Sequence, residues 1–313
     1  MNIVFFGTPL FAAKVLEYLL ETGSEIVGIV TRPDKPKGRS KRLQPSVVKE
    51  FSLEKCPQIP LFQPEKASTD AFAKELQSLK PDVFVVVAYG EIIKANILEI
   101  PTKMCVNVHP SLLPKYRGAA PIQSALFNGD QETGVTIMEM VLAMDAGDIL
   151  EVVKIPLPEN ITFGELEKIL YDLSGPALVR VLEKITLNAV KKIPQDPEQV
   201  TFSKKIVAED RVIDWIKSAK ELHNQIRALS PRPGAYCFVE MGGVSKRLVI
   251  RKSEKVFDLK GKPGETLVFD KDRWVVGCAN GALSLLEIQL EGKKAMPIKE
   301  FLRGASFAPL IKI

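Results

Sequence analysis

The first thirty residues alternate between the pattern of a buried strand and that of an amphipathic helix. Residues 2–6 (NIVFF) are almost wholly apolar, which is typical of a strand buried on both faces. Residues 7–9 (GTP) end this run, and the apolar residues from Phe11 to Leu20 recur at helical spacing. A second apolar run, Ile26–Val30, follows. Strand, helix and strand in so short a segment predict a βαβ unit, and therefore a parallel sheet with right-handed crossovers.

The same alternation continues to about residue 190. Further elements are predicted at Asp70–Leu79 (helix), Val83–Ala88 (strand), Met104–Val108 (strand), Gly118–Phe127 (helix), Gly134–Met140 (strand) and Thr162–Val190 (helix). Because strands and helices alternate throughout, residues 1–190 are predicted to form one α/β domain built on a parallel sheet.

Beyond residue 190 the pattern changes. Prolines and polar residues predict a linker at 191–206. Within 207–313, a short helix at Ser218–Leu229 is followed by brief strand-like runs at Tyr236–Val239, Leu248–Arg251, Thr266–Phe269, Trp274–Gly277 and Leu283–Ile288. Several short strands at such intervals are typical of a small β-barrel or sandwich domain.

Composition excludes several classes of protein. The longest purely apolar stretch, Val83–Tyr89, has seven residues, against the ~20 that a membrane-spanning helix needs. The amino terminus lacks the pattern of a secretory signal. Four cysteines without a CxxC spacing indicate free thiols: Cys56, Cys105, Cys237 and Cys278. We therefore expect a cytoplasmic protein that holds no metal.

The net charge of +5 is unevenly distributed along the chain. Residues 1–200 carry −3 and residues 201–313 carry +8, and the segment Arg32–Arg42 (RPDKPKGRSKR) alone carries +5. The prolines and the glycine in this segment predict a loop. So dense a basic loop either binds nucleic-acid phosphates or is a solvated surface loop, and its sequence leaves both interpretations open.

Two polar side chains stand at the end of the predicted Met104–Val108 strand. Asn107 and His109 are two positions apart, so both are expected to project to the same side. Open parallel sheets bind their ligands beyond the carboxyl ends of the strands. An amide and an imidazole at this place can bind a developing oxyanion and move a proton. A turn-capping asparagine beside a structural histidine is the alternative interpretation.

A second polar group, Asp145–Asp148 (DAGD), follows an apolar strand. Such a loop can orient Asp145 against an imidazole, although the pattern is also typical of an ordinary capped turn. His223, on the polar face of the predicted 218–229 helix, is interpreted as a surface histidine. The sequence contains no GxGxxG or Walker A motif, which is evidence against an NAD enzyme or an NTPase, and no GxSxG or HExxH motif.

Together these segments resemble the methionyl-tRNA formyltransferase family along nearly the whole chain. The matching pieces are GTP at 7–9, the basic loop at 33–46, AYG at 88–90, NVHPSLLP at 107–114, RGAAPI at 117–122, ETGVTIM at 132–138, DAGD at 145–148, IDW at 213–215, RALSPRPG at 227–234 and GKKAM at 292–296. The Asn-x-His, SLLP and Asp set marks only the wider group of formyltetrahydrofolate-using enzymes. The basic loop and the C-terminal pieces narrow the resemblance to the tRNA family.

The resemblance implies a fold, a reaction and a set of site residues. A Rossmann-like formyltransferase domain would precede an OB-like barrel that lies against tRNA. The formyl group of 10-formyltetrahydrofolate, a cosubstrate, would move to the α-amino group of methionyl initiator tRNA. Separately, the sequence has no heptad pattern or long apolar stretch and no metal-ligand spacing, so a monomer without metal is expected. The implied catalytic set is Asn107, His109 and Asp145. Folate contacts are implied for Ala88, Tyr89, Gly90, Ser111, Leu112, Leu113 and Pro114, and tRNA contacts for Lys37, Arg39, Lys41 and Arg42.

The implied chemistry uses the residue types in a definite way. The Asn107 amide and a protonated His109 would donate to the oxyanion formed by amine attack, and Asp145 would stabilise the imidazolium. Pro110 follows His109 where some relatives carry glycine, and proline removes a backbone N–H donor there. The alternatives are a formyltransferase acting on an amino sugar nucleotide or a purine precursor, a formyltetrahydrofolate hydrolase, and an RNA-binding protein without turnover.

Overall fold

The computed structural model describes residues 1–37, 42–305 and 308–312, and the chain divides into two compact units. Unit 1 comprises Met1–Pro121, Thr133–Ile155 and Glu167–Ser203, and unit 2 comprises Ile122–Glu132, Pro156–Leu166 and Lys204–Ile313. Two short segments from the first half of the chain thus belong to the C-terminal unit. The domain limits 1–190, 191–206 and 207–313 stay a prediction.

The elements of the described residues follow in chain order. The helices are α1 (Leu10–Glu21), α2 (Val47–Lys55), α3 (Asp70–Ser78), α4 (Ala95–Leu98), α5 (Pro121–Asn128), α6 (Phe163–Thr186), α7 (Ala219–Leu229) and α8 (Ile298–Arg303). The strands are β1 (Ile3–Gly7), β2 (Ile26–Val30), β3 (Lys35–Lys37), β4 (Arg42–Gln44), β5 (Leu61–Phe62), β6 (Val83–Val87), β7 (Met104–His109), β8 (Arg117–Gly118), β9 (Glu132–Glu139), β10 (Ile149–Pro156), β11 (Phe202–Ser203), β12 (Ala235–Met241), β13 (Val244–Val256), β14 (Thr266–Phe269), β15 (Trp274–Gly277), β16 (Ala282–Leu290), β17 (Met296–Pro297) and β18 (Leu310–Lys312). No helix among the described residues is both long enough and apolar enough to cross a membrane.

Unit 1 is built on a seven-stranded sheet in the order β10-β9-β7-β6-β1-β2-β5. β1 pairs in parallel with β2 and β6, and β6 pairs in parallel with β7. The predicted Rossmann-like parallel sheet is therefore confirmed. β9 runs antiparallel to β7 and extends the sheet. β10 was not predicted, because Glu151 and Lys154 interrupt the apolar residues of this partly exposed edge strand.

The central strands bring three chain segments to one edge of this sheet. All five residues of β1 and of β6 are buried, as continuous apolar strands require. Gly7 pairs with Val87, and Val86 pairs with Asn107, so the carboxyl ends of β1, β6 and β7 lie side by side. This edge is where open parallel sheets place their ligands. The fold thus carries Asn107 and His109 to the position that the sequence predicted.

The basic segment is more regular than the predicted loop. Lys35–Lys37 pairs in antiparallel fashion with Arg42–Gln44, so the described part is a two-stranded ribbon and the prediction of a loop was wrong there. The Nζ of Lys49 lies 2.8 Å from the Oδ2 of Asp34, and Gln63 donates to the same carboxylate at 2.8 Å. These contacts anchor the base of the ribbon, which the proline and glycine content could not reveal.

Unit 2 contains an antiparallel sheet in the order β14-β15-β16-β13-β12-β18, with β17 paired to β16. Irregular register between Ile250 and Ser253 bends the long β13 strand, and such bulges let a sheet curl. Trp215 and Trp274 fill the core, and the ring of Trp274 stacks on Phe301 with centroids 5.8 Å apart. This curled sheet confirms the OB-like domain.

The polar face of α7 is buried inside unit 2. His223 is only 2% exposed, and its Nε2 lies 3.1 Å from the carbonyl oxygen of Glu159. Arg227 donates to carbonyl oxygens in both segments, 122–132 and 156–166, that unit 2 takes from the first half of the chain. The interpretation of His223 as a surface residue was therefore wrong, because these segments cover a face that looks solvent-exposed in the sequence.

Candidate active site

His109, the last residue of β7, is buried and lies between a carbonyl group and a carboxylate. Its Nε2 is 3.0 Å from the carbonyl oxygen of Tyr116, and its Nδ1 is 3.8 Å from the Oδ2 of Asp145. A carbonyl oxygen can only accept a hydrogen bond, so Nε2 carries the proton in the neutral ring. The Nδ1 atom then presents its lone pair toward the side of Asp145. The structure thus brings together two residues that are 36 positions apart in the sequence.

Burial lowers the pKa of His109, and the Asp145 carboxylate and the Tyr116 carbonyl offset part of this effect. The ring is therefore neutral at neutral pH and acts as a proton acceptor before it acts as a donor. This differs from the protonated His109 invoked on the sequence alone. The ionisation state of His109 is set by the loss of solvent around its ring. That loss depends on residues distant in the sequence that pack against the ring, so the sequence alone could not show it.

The loop between β9 and β10 presents Asp145 in an unusual backbone conformation. Its φ is +51°, in the left-handed region that aspartate enters more readily than most residues. The Oδ2 atom accepts a hydrogen bond of 2.7 Å from the backbone N–H of Gly118. Two residues later, a Cβ atom on Gly147 would lie 1.9 Å from the carbonyl oxygen of Glu139, so only glycine fits there. The DAGD sequence thus forms a tight turn that aims the Asp145 carboxylate.

Asn107 occupies the middle of the same sheet edge. It pairs with Val86 of β6 and with Met138 of β9, so its backbone is held from both sides. The side chain is half-buried. In the described ranges, no residue forms a hydrogen bond with its amide, which has two N–H donors.

The SLLP segment shapes the turn after His109. The Ser111 hydroxyl donates to the carbonyl oxygen of Lys115 at 2.7 Å, and the Thr136 hydroxyl donates to the Ser111 carbonyl oxygen at 2.7 Å. Leu113 is buried, whereas Leu112 and Pro114 are half-buried. Within the protein, Ser111 therefore supports the turn that delivers the Tyr116 carbonyl to His109. Its predicted folate contact stays a prediction.

The AYG segment follows β6 at the same sheet edge. Ala88 and Gly90 are exposed and have positive φ values of 45° and 83°. Tyr89 points the other way: its ring packs edge-on against Phe6 in the core, and burial raises its pKa. Ala88 and Gly90 therefore offer backbone surface to a ligand, while the Tyr89 side chain belongs to the core.

The four predicted tRNA contacts fall on the basic segment. Lys37 and Arg42 pair with each other through the backbone of the β3–β4 ribbon. Arg39 and Lys41 lie outside the described residues. All four assignments stay predictions.

Sequence reasoning missed several residues that contact the site. Thr136 lies within a segment that resembles the family, and Tyr116 lies between two such segments. Nothing in their spacing indicates a contact with His109 or with the SLLP turn. Gln195 lies in the predicted linker and donates to the carbonyl oxygen of Asp145 at 2.8 Å. A lone glutamine between prolines carries no recognisable pattern, so this contact could be found only in the folded chain.

Comparisons with known proteins agree with the fold. A formyl transferase family model matches residues 1–182, and a formyl transferase C-terminal domain model matches residues 205–306. Among solved structures, the sugar 3N-formyl transferase WlaRD has a TM-score of 0.67 at 21% identity, covering 94% of this chain and 99% of that one. HypX from Aquifex aeolicus, solved with tetrahydrofolic acid, has a TM-score of 0.64 at 19% identity, covering 96% of this chain and 47% of that one. The two family models, together with the fold, therefore define a formyltransferase.

Full-length relatives narrow this class. A methionyl-tRNA formyltransferase from Protochlamydia amoebophila is 44% identical over 306 residues, which cover 98% of this chain and 96% of that protein. A methionyl-tRNA formyltransferase from Syntrophomonas wolfei is 39% identical over 310 residues, which cover 99% of this chain and 97% of that protein. The chain belongs to the methionyl-tRNA formyltransferase family.

Proposed function

We propose that this protein transfers the formyl group of 10-formyltetrahydrofolate to the α-amino group of methionyl initiator tRNA. The observation that carries the proposal is the pair formed by the buried His109 and the half-buried Asp145, found in a chain whose full length matches relatives of that name. HypX supports a folate donor, since its solved structure contains tetrahydrofolic acid. A cytoplasmic location and a monomeric state accompany this proposal as further predictions.

Asn107 has the properties of an oxyanion donor. Attack of the amine on the formyl carbon places negative charge on the formyl oxygen, and an N–H donor aimed at that oxygen stabilises the transition state more than the ground state. The half-buried amide of Asn107, at the carboxyl edge of the sheet, can supply such a donor. We assign it this role.

His109 and Asp145 have the properties of a proton-accepting pair. The amine must lose a proton as it forms the new C–N bond, and the neutral His109 can take that proton on Nδ1. The ring then becomes positively charged in a buried place, which is costly unless an anion lies nearby. The carboxylate of Asp145, 3.8 Å away, compensates that charge, and the Gly118 N–H keeps it in position. The proton then passes to N10 of the folate as the bond between N10 and the formyl carbon breaks, which releases tetrahydrofolate and returns His109 to its neutral form.

Folate contacts are proposed where the sheet edge is accessible. Ala88 and Gly90 expose backbone groups, and Leu112 and Pro114 are partly accessible. The loop before Asp145 is unusually apolar and exposed, with Leu142 and Met144 at 69% and 65% exposure. Flat apolar rings are suited to such surfaces. Tyr89, Ser111 and Leu113, also assigned by the resemblance, would contribute through the segments that they stabilise.

An assay with two substrates tests which molecule accepts the formyl group. Purified protein with 10-formyltetrahydrofolate should formylate charged initiator tRNA and should leave an amino sugar nucleotide unmodified, with formylmethionyl-tRNA and tetrahydrofolate formed in equal amounts. A formylated sugar with unmodified tRNA would assign the protein to the sugar enzymes. Folate turnover without an acceptor would indicate a hydrolase, and tRNA binding without product would indicate an inactive binding protein.

An arginine-lined cavity in unit 2 supports tRNA as the partner. Arg211, Arg247 and Arg251 line a cavity of about 180 Å³. The guanidinium groups of Arg211 and Arg247 stack on Tyr236, with their carbon atoms 5.5 and 5.6 Å from the ring centroid. Side-chain ion pairs with carboxylates are absent for all three arginines within the described ranges. Glu291 also lines the cavity, and Arg211 and Arg251 already donate to backbone carbonyl oxygens of residues 231–234. Among the described residues, the Arg247 guanidinium is therefore the group best placed to bind a phosphate of a nucleic-acid backbone.

Replacing Arg247 with alanine should weaken tRNA binding and make it less dependent on salt. Loss of one phosphate contact should reduce the slope of log Kd against log salt by roughly one, with little change in kcat. Binding titrations at several salt concentrations measure the slope. Arg273→Ala, which removes an arginine near Asp270 instead, is the matched control. An unchanged slope for Arg247→Ala would exclude the cavity as a phosphate site.

A further inference from the structure

Gln195 lies in the segment after α6 and uses both ends of its side-chain amide. Its Nε2 donates to the carbonyl oxygens of Asp145 and Gly147, at 2.8 and 2.7 Å. Its Oε1 accepts from the Nε and Nη2 atoms of Arg117, at 3.0 and 2.8 Å. Four hydrogen bonds thus converge on one half-buried glutamine in a stretch that looked like a linker. All of these residues belong to unit 1.

The two segments that Gln195 joins are the same segments that contact His109 and Asp145. On one side is the loop that carries the Asp145 carboxylate. On the other side is Arg117, whose preceding residue, Tyr116, accepts a hydrogen bond from His109, and whose following residue, Gly118, donates to Asp145. Gln195 therefore ties together the carbonyl and the carboxylate that lie on opposite sides of the imidazole.

The backbone around Gln195 is itself fixed. Ile193 and Ile149 exchange two backbone hydrogen bonds of 2.8 and 2.9 Å, so the segment is attached to the start of β10. Pro194, directly before Gln195, has a φ fixed by its ring and restricts Ile193 as well. A side chain presented from an ordered backbone loses little conformational freedom when it binds, which makes Gln195 an effective support for other groups.

Glutamine is suited to this place by its chemistry. The two carbonyl oxygens need donors, and the guanidinium of Arg117 needs an acceptor, so one neutral amide satisfies both. A carboxylate would oppose the carbonyl oxygens, and an ammonium group would oppose Arg117. An apolar side chain would leave the polar groups of both segments without these partners.

We infer that Gln195 is a positioning residue that holds the Asp145 loop and the Tyr116–Gly118 segment at the spacing His109 requires. The inference rests on the proposed function, because it gives Gln195 its effect through the reaction of His109 and Asp145. Gln195 itself contacts neither ring nor carboxylate. Its removal changes where the Asp145 carboxylate lies, and displacement of a catalytic group by about 1 Å can cost up to about 100-fold in rate.

Substitution of Gln195 by methionine, which has similar length and no hydrogen-bonding amide, tests the inference. We expect kcat to fall about 10-fold or more, with the KM for each substrate within about twofold of wild type. In an Asp145→Asn background, where the carboxylate is absent, the same substitution should change kcat less than about threefold. Gln199→Met is the matched control, since Gln199 is exposed and donates only to Asp196 in the described structure.

A second measurement does not depend on turnover. The Gly118 N–H is held by the Asp145 carboxylate, so its hydrogen exchange should be at least about 10-fold faster in Gln195→Met, while the Leu113 N–H, held by Thr136, should be unaffected. If Gln195→Met lowered kcat equally in the wild-type protein and in the Asp145→Asn variant, Gln195 would have a general structural role, and the inference would be overturned. Unchanged Gly118 exchange would overturn it as well. Absence of formyl transfer in the wild-type protein would refute the proposed function instead, and Gly118 exchange would still decide whether Gln195 positions the loop.

Discussion

Substitution of Asp145 by asparagine should lower kcat for formyl transfer at least 100-fold and leave the fold intact. The asparagine Oδ1 can still accept the Gly118 N–H, so the loop keeps its anchor. The charge that compensates a protonated His109 is lost. At the observed 3.8 Å, two unit charges attract by about 4 kcal/mol in a partly screened protein site. A hundredfold rate loss corresponds to about 2.7 kcal/mol, so even partial loss of this attraction suffices.

The same variant should shift the acid limb of the pH–rate profile. Burial lowers the pKa of His109 and Asp145 raises it, so the wild-type profile should fall only below the ordinary histidine value of about 6.5. Without the Asp145 charge the pKa drops further, and the acid limb moves to lower pH. Rates measured from pH 5 to 8, with enzyme shown to be folded at each pH, test this direction.

Exposed aspartates provide the control for this prediction. Asp172→Asn removes an equal charge from a surface ion pair with Lys168 and should leave both rate and profile unchanged. An Asp145→Asn enzyme with a near-normal rate would remove the carboxylate from the mechanism. If the rate fell but the acid limb stayed at its wild-type pH, Asp145 would act without changing the pKa of His109.

Substitution of Asn107 by alanine should lower kcat about 100-fold without moving the acid limb. Loss of one oxyanion donor typically costs about 3 kcal/mol, and an uncharged side chain does not alter the pKa of His109. Asn107→Asp should be slower still, because a carboxylate at this place has no N–H donor and repels the developing charge. Single-turnover rates separate this loss from changes in substrate binding.

Asn96→Ala is the matched control for the Asn107 substitution. Asn96 is also half-buried in unit 1, and its amide donates to Ser68 and Asp70, which belong to neither the sheet edge nor the Asp145 loop. Its loss should affect stability without affecting the chemical step. If Asn107→Ala retained wild-type kcat, another group would have to stabilise the oxyanion.

The central fold was predictable because its signals are local. Continuous apolar runs specified β1, β2 and β6, and helical spacing specified α1 and α3, each within one or two residues of its observed limits. Ser218 and Thr162 cap the helices that their sequence patterns predicted. β10 was not predicted, since Glu151 and Lys154 interrupt the continuous apolar run on which these predictions depend.

The residue types of the candidate site could be predicted from the sequence, whereas the protonation of His109 and the contacts between distant residues could be predicted only in part. Asn107 and His109 share one strand, and the sheet topology places that strand end at the ligand-binding edge. The contact between His109 and Asp145 followed from resemblance, because the two are far apart along the chain. The arginine cavity is assembled from residues on separate segments, so no run of basic residues marks it in the sequence.

The sequence by itself determined the secondary structure of the central sheet, the uneven charge of the two halves and the residue types of the candidate site. Only the tertiary structure decided that His109 is neutral, that the polar face of α7 is buried and that Gln195 supports the Asp145 loop. The reason is physical. Element type depends on neighbouring residues, whereas burial, ionisation and hydrogen-bond partners depend on residues that the fold brings together from distant parts of the chain.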